Sequence, residues 1–338
     1  MRVLTFGESL LRLSAPGYEK LLQSDTLKAT FCGSEANVAV SLTNFGIESK
    51  FVTKLPDSDL GVAAKRSLDY FGVDTSSIIL GDGRMGIYYL EKGASQRPSK
   101  IIYDRKYSSI ALAKTSEFDW DKLFNGVDWF HWTGITPALS DNAFSILLEA
   151  CKKAKEKGIT VSCDLNYRKK LWNPKEAQRA MKQLLRYVDV CIGNEEDAEF
   201  ALGINNNSDV ETANLQTKDY EAIAKIIEKE FGCKYIAFTL RESYSATRNG
   251  WSAVLYREGN IYCSKKYDIQ LVDRVGGGDS FAAGLIYSLL NKYGEQVCIE
   301  FATAASCLKQ TIEGDFNRIS SEEVFELMNG EGNGRVQR

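Results

Sequence analysis

The stretch of this 338-residue chain best suited to chemistry is three consecutive glycines followed by an aspartate, Gly276-Gly277-Gly278-Asp279. Lacking Cβ atoms, these glycines let successive backbone N–H groups close around an anion. Apolar residues then recur at Phe281, Leu285 and Leu289, and at Ala282, Ile286 and Leu290, which predicts a helix beginning at or near Asp279 and ending before Gly294. The positive end of that helix would fall on the glycines, a combination that suits a phosphoryl group. An aspartate at a helix start is commonly just an N-cap. Beside such a nest it can also accept the proton of a hydroxyl that attacks a phosphoryl group, while the amides offset the developing charge.

Other candidates carry less. Gly81-Asp82-Gly83-Arg84-Met85-Gly86 fits the spacing of a dinucleotide-binding turn, but that turn must lead into a helix, and Ile87-Tyr88-Tyr89-Leu90 reads as a strand. A turn between strands is expected there, which leaves a nicotinamide-dependent oxidoreductase without support. No G-x-x-x-x-G-K-[ST] occurs. The single histidine, His131, lies in the apolar run Val127-Asp128-Trp129-Phe130-His131-Trp132-Thr133-Gly134 and is expected in the core, which weakens hydrolase mechanisms that need a histidine base. Eight scattered cysteines without a C-x-x-C pair outline neither a zinc site nor a disulfide framework and read as reduced core thiols. A net charge of −3 with no basic block gives no footprint for nucleic acid. No long apolar run suggests a membrane span, and the start of the chain reads as a strand rather than a signal segment, so a soluble, cytoplasmic protein is expected.

The elements that must position the glycine motif follow from periodicity. Short apolar runs alternate with amphipathic stretches: Val3 to Phe6, Ala36 to Phe45, Ser49 to Leu55, Gly61 to Phe71. Further strands are expected over Trp129 to Trp132, Thr160 to Leu165, Val188 to Gly193 and Tyr235 to Leu240, with helices over Asp141 to Lys157, Pro174 to Tyr187 and Asp219 to Phe231. This is the pattern of βαβ units around a parallel sheet. Leu10 to Phe31 and Arg84 to Ala113 are strand-like without intervening helices, and read as a small β lid inserted into the α/β core. The fold class expected is an α/β three-layer sandwich over 1–330 with a mostly parallel central sheet, that discontinuous lid, a surface loop after Asn205 and a flexible tail over 331–338.

With these motifs in place, the sequence resembles the ribokinase-like (PfkB) family of carbohydrate kinases. That family's C-terminal signature is close to D-T-T-G-A-G-D, which here reads Asp273-Arg274-Val275-Gly276-Gly277-Gly278-Asp279, and a second pattern is similar to Gly33-Ser34-Glu35-Ala36-Asn37-Val38-Ala39-Val40. The resemblance spans nearly the whole chain and implies ATP and Mg2+ as cofactors. It also implies the ribokinase-like fold, whose lid commonly forms a dimer contact, so a homodimer or higher homo-oligomer is expected. Arg274 and Val275 stand where the signature has two hydroxyl residues, which leaves open whether a monovalent cation binds there. Asn194-Glu195-Glu196-Asp197 is similar to the family's N-x-x-E motif with Asp197 in the glutamate place, so Asp197, through water, and Glu196 are expected near Mg2+. A solvated first helical turn is the plainer account of those acids.

Within the family the chain looks most like 2-keto-3-deoxygluconate kinases, on Gly7-Glu8, His131 to Leu139, Asp164-Leu165-Asn166-Tyr167-Arg168 and Gly314-Asp315-Phe316-Asn317. The resemblance assigns Asp279 as base with Gly276, Gly277 and Gly278 around the phosphoryl group, and Gly33, Asn37, Tyr88, Tyr103, Arg105 and Arg168 to the substrate. Nucleotide contacts would be Asn166, Asn194, Thr239, Arg241, Ser243 and Asn317, beside Gly276 and Gly278. An arginine fork suits a carboxylate, and tyrosines offer hydroxyls and flat apolar walls to a sugar, so an acidic keto-sugar is favoured on chemistry as well. For Arg105 and Arg168 the plainer reading is a solvated surface charge. The alternatives are a fructokinase or other neutral-sugar or nucleoside kinase of the same fold and, from a different class, a non-catalytic sugar-binding protein.

Overall fold

A computed structural model describes residues 1–204 and 217–330. The surface loop expected over 205–216 and the tail over 331–338 lie outside the described residues. Six parallel strands run in the order Glu48–Val52, Arg2–Phe6, Trp129–Thr133, Thr160–Asp164, Val190–Gly193, Tyr235–Ser245. Every residue of Trp129–Thr133 is buried, as expected of a central strand covered on both faces. The sheet then continues antiparallel through Arg248–Arg257, which pairs with both Asn260–Cys263 and Tyr267–Gln270. This edge was not foreseen, and the strand expected to stop at Leu240 runs on to Ser245 because its outer half pairs with Arg248–Ser252.

Helices cover both faces. On one, Asp141–Glu156, Pro174–Leu184 and Thr217–Phe231 pack Ile146, Leu147, Met181, Leu184, Ile223 and Ile227 onto Leu4, Phe130, Val161 and Ile236. Their starts are readable in the sequence. Ser140 accepts from the Ala143 amide at 3.1 Å, and Asn173 and Glu176 form a capping box with proline at the first helical position. On the other face, Ser34–Asn44, Gly277–Leu290 and Glu295–Lys309 pack Val38, Leu42, Phe281, Leu285, Phe301 and Ala305 onto Val3, Trp129, Val190 and Ala237. The last two helices touch closely at Gly284, whose Cα faces Ala302. Alternate residues of Arg2–Phe6 supply the two cores, Val3 to one and Leu4 to the other, which is the three-layer sandwich.

The two strand-like sections form a separate four-stranded sheet in the order Lys28–Cys32, Leu10–Ser14, Gly86–Glu91, Lys100–Asp104. Its strands occupy only 86–104 of the second section, while Ile110 and Ala113 belong to the main core. Gly81 ends one short strand and Gly86 opens the next, so the G-x-G-x-x-G stretch is a turn between strands. His131 is fully buried beside Ser162 and burial drives its pKa down to about 3, which leaves it neutral. All cysteines are unpaired; seven are buried and Cys263 is exposed. Among the described residues no helix is long and apolar enough to cross a membrane.

Candidate active site

The glycine-rich helix starts two residues earlier than the periodicity suggested, at Gly277, with Gly276 as its N-cap in the left-handed region at φ +81°. Asp279 is therefore not the cap. It is the third helical residue, in the first turn, and the first helical hydrogen bond runs from Ser280 N to Gly276 O at 2.9 Å. A side chain on Gly276 would run into the carbonyl oxygen of Asp315, which explains glycine there beyond its φ. Gly278 is exposed, and a Cβ built on it meets nothing within 4 Å, so the mouth of this helix is open.

Asp279 retains 9% exposure beside that mouth. Its Oδ2 accepts from Asn37 Nδ2 at 2.6 Å and its Oδ1 from the Ser34 hydroxyl. Ser34 Oγ in turn accepts from Asn166 Nδ2 at 3.3 Å. Burial raises the Asp279 pKa, against the opposing pull of Asn37 and Ser34, and with smaller contributions from Asp315, which adds to the rise, and Arg168, which counters it. A carboxylate so placed is oriented at both oxygens and is a stronger proton acceptor than one in water.

The partners of Asp279 come from the start of Ser34–Asn44, and that start is fixed from beneath. Gly33 sits at φ +154° with its Cα against the Glu8 carbonyl, where a side chain would collide. Glu35 is buried under Gly7. Its Oε1 accepts from Thr133 N at 3.1 Å, Thr133 Oγ1 at 2.8 Å and Thr136 Oγ1 at 2.7 Å, while burial pushes its pKa up to about 7.

Further along the carboxyl ends of the parallel strands lie Asp164, Asn166, Arg168 and Asp197, where ligands of open α/β sheets gather. Asn166 adopts φ +40° and bonds Asp164 through its amide N at 3.2 Å. Arg168 is exposed, and its charge is felt by Asp164, Asp197 and Asp279. Asp197, expected near Mg2+, has both oxygens engaged by backbone amides: Oδ1 by Tyr167 N at 2.8 Å and Oδ2 by Asn194 N at 3.1 Å. Asn194 completes a capping box by accepting from Asp197 N at 2.8 Å. Glu196 points to solvent. Among the described residues no three metal-ligating side chains converge. Burial and the charges of Asp197 and Asp279 nonetheless raise the Asp164 pKa, a local excess of negative charge that suits a cation brought by the substrate.

The small sheet meets this site through Arg12, Tyr88, Tyr103 and Arg105. Arg12 is fully buried, with Nη1 on Asp315 Oδ1 at 2.6 Å and Nη2 on Asp273 Oδ2 at 2.5 Å. Tyr88, one strand over, donates its hydroxyl to Asp315 Oδ2 at 2.7 Å, so it is committed to the protein. Arg105 is paired but not saturated: its Nε donates to Glu8 Oε2 at 2.7 Å and its Nη2 grips the same oxygen, both residues being buried. Tyr103, in register with Tyr88, is half-buried with its ring 6.1 Å from that of Tyr88.

On the nucleotide side, Thr239, Arg241 and Ser243 lie along the last parallel strand, Arg241 and Ser243 on its exposed outer half. Burial, and after it the charge of Arg241, lowers the pKa of Arg274, which stands two residues before the nest. Among the described residues neither forms an ion pair with a carboxylate. Asn317, expected to touch nucleotide, is 1% exposed; its Oδ1 accepts from Ile319 N at 3.0 Å and shapes a turn, while its Nδ2 has no partner among the described residues.

Sequence reasoning passed over Ser34, Glu35, Asp164, Arg12 and Asp315 as site residues, and read Arg274 only as a departure from the signature. Two signals were available: Arg12 interrupts the apolar run Leu10-Leu11-Arg12-Leu13, and Asp164 ends a parallel strand. A model of the pfkB family of carbohydrate kinases matches residues 1–317. The chain is 30% identical over 328 residues to a 2-dehydro-3-deoxygalactonokinase of Haloferax volcanii, covering 97% of this chain and 96% of that one. It is 27% identical to a 2-dehydro-3-deoxygluconokinase of Thermoproteus tenax, covering 96% and 94%. The crystal structure of a 2-dehydro-3-deoxygluconokinase from Thermotoga maritima is similar with a TM-score of 0.94 at 49% identity, over 98% of each chain.

Proposed function

The chain belongs to the pfkB family of carbohydrate kinases, and from that premise we propose that it transfers the γ-phosphoryl group of ATP to the terminal hydroxyl of an acidic keto-sugar, 2-keto-3-deoxygluconate first among them. The observation that carries the reading is the Asp279 carboxylate, held by Ser34 and Asn37, beside the open mouth of a helix at Gly278. The sugar hydroxyl attacks the γ-phosphorus as its proton passes to Asp279 Oδ, and ADP departs along the same line. Amides of the first helical turn stabilise charge on the transferring oxygens, and the guanidinium groups of Arg241 and Arg274, free of ion pairs among the described residues, suit the polyphosphate. Mg2+ would travel with the triphosphate near Asp164, and when bound it would neutralise phosphate charge.

The choice of an acid rests on Arg168, the exposed cation whose field reaches Asp279, and on Arg105, which gives Nε and Nη2 to Glu8 and keeps Nη1 for a carboxylate. The relatives whose names specify 2-keto-3-deoxy sugar acids support it. The small sheet, with Arg12 and Tyr88 tied to the nest side, would act as a lid that keeps water from the phosphoryl group. Its outer row, Leu13, Tyr89 and Ile102, is partly exposed and supports pairing of two copies through the lid; a monomer in sedimentation equilibrium at micromolar concentration would remove that part. A coupled ADP-release screen over acidic and neutral keto-sugars tests the whole. Release dependent on an acidic keto-sugar is expected, and equal release with fructose, or none with any sugar, would overturn the reading.

A further inference from the structure

Behind the nest lies a buried charge that the mechanism above does not use. Lys309, the last residue of Glu295–Lys309, is 0% exposed. Its Nζ donates to the carbonyl oxygens of Gly314 at 2.6 Å and Asp273 at 3.2 Å, and to that of Val275. Three acceptors for three protons identify the group as a protonated ammonium, because a neutral amine has only two N–H bonds to give. Burial pulls the Lys309 pKa down, and the nearby carboxylates of Asp273, Asp315 and Asp279 favour the charged form.

The carbonyls it gathers belong to the loop that enters the nest and to the segment packed against it. Asp273 and Val275 immediately precede Gly276, and Gly314 precedes Asp315, whose carbonyl lies under the Gly276 Cα. The same loop is braced by the Asp273 carboxylate, which accepts from Val275 N at 3.2 Å and Gly314 N at 3.1 Å. Turning the Asp273 and Val275 carbonyls toward one buried cation turns the peptide planes of the loop with them, the N–H groups on their far edges follow, and the Gly314 carbonyl ties the loop to the segment packed against it. Arg12 and Lys309 together balance Asp273 and Asp315, so the cluster behind the nest is neutral, with the ammonium held on the backbone of the loop itself.

We propose that Lys309 is a positioning residue, a tethered cation that fixes the loop of the phosphoryl nest and makes the kinase independent of added monovalent cations. The ligand set, backbone oxygens around a compact ammonium, is one that free ammonium or potassium ion, of similar size, would accept if the tether were cut. This rests on the reading of Gly276 to Asp279 as the phosphoryl site, and the test separates the two.

The experiment compares wild type with Lys309→Met and Lys309→Gln in buffers whose only monovalent cation is tetramethylammonium, ammonium or potassium at equal ionic strength. ADP release with 2-keto-3-deoxygluconate and ATP affinity by calorimetry are both read, so an incorrect sugar still leaves the second readout. Wild type is expected to be the same in all three buffers. The variants are expected to lose about 10²-fold in kcat in tetramethylammonium, the scale of a 1 Å displacement of a reacting group, with weaker ATP binding. Ammonium should restore at least about tenfold of that loss, with potassium acting in the same direction. Activation of wild type by ammonium or potassium would overturn the proposal, and this arm needs no variant to fold. So would a variant with native circular dichroism that keeps full turnover, or one whose loss ammonium does not relieve. Full turnover in Asp279→Asn would instead sink the underlying reading.

Discussion

Gly276 and Gly278 differ by two positions, yet the structure assigns them opposite consequences on substitution by alanine. At Gly276 the backbone is left-handed, which costs a side chain about 1–2 kcal/mol, and the added methyl would strike the Asp315 carbonyl, for which overpacking typically adds about 1–3 kcal/mol. Gly276→Ala should therefore lose about 2–5 kcal/mol. At roughly 2.1 cal/mol/K of unfolding entropy per residue over this chain, each kcal/mol lowers Tm by about 1.4 °C, so a fall of about 3–7 °C is expected. At Gly278 the φ is helical and the methyl meets nothing within 4 Å, so replacing glycine in the first turn should leave Tm unchanged or raise stability by about 0.5 kcal/mol. The same methyl would stand in the helix mouth, where the phosphoryl oxygens must approach the amides, and displacing them by about 1 Å should cost about 10²-fold in kcat. Thermal melts followed by circular dichroism, with ADP release on the same samples, read both quantities. A Gly278→Ala enzyme with wild-type turnover would refute the claim that this mouth receives the phosphoryl group, and a Gly276→Ala enzyme as stable as wild type would refute the steric account.

Arg168→Ala should raise KM for an acidic keto-sugar by about 10-fold to 100-fold, the loss of a charge-assisted pair, and leave a neutral sugar unaffected; equal effects on both would remove Arg168 from acid recognition. Arg105→Ala should instead destabilise the fold by about 3–5 kcal/mol in urea melts, because Glu8 would be left buried and unpaired, and adding Glu8→Gln should recover most of it. Glu35, with a folded pKa of about 7 against an ordinary 4.5, favours the protonated form on folding, so its stabilising contribution is complete below pH 4.5 and is lost as pH rises through 7. That loss is roughly 3 kcal/mol, and Glu35→Gln should abolish it, which isolates it from His131, whose folded pKa of about 3 acts in the opposite sense as pH falls below 6.5. An unchanged pH–stability profile in Glu35→Gln would contradict the burial argument.

What the sequence disclosed was local. The run Gly276-Gly277-Gly278-Asp279 carries its own geometry, because glycines fix where amides can be bared and the apolar period fixes where the helix goes. The parallel sheet and the separate small sheet are legible for the same reason, as is the turn at Gly81 to Gly86, where the residues that follow are a strand. Partner choice was not legible. Tyr88 meets Asp315 and Arg105 meets Glu8 only because the small sheet folds back over the strand ends, and a lone arginine in a sequence does not announce its counter-ion. Asn317 lies in a turn held by Asn44 on a distant helix, which donates to its carbonyl at 2.6 Å. The antiparallel edge after Tyr235–Ser245 was missed because the two strands that pair with Arg248–Arg257, Asn260–Cys263 and Tyr267–Gln270, are only four residues each and largely polar.

The most direct measurement is turnover and ATP affinity of Asp279→Asn, a substitution that keeps the shape of the side chain and its place between Ser34 and Asn37. If the carboxylate takes the hydroxyl proton, ADP release should fall by at least about 10³-fold, within the range of lost general-base catalysis, while the Kd for ATP stays within about threefold of wild type. Turnover within about tenfold of wild type in a correctly folded variant would contradict the account.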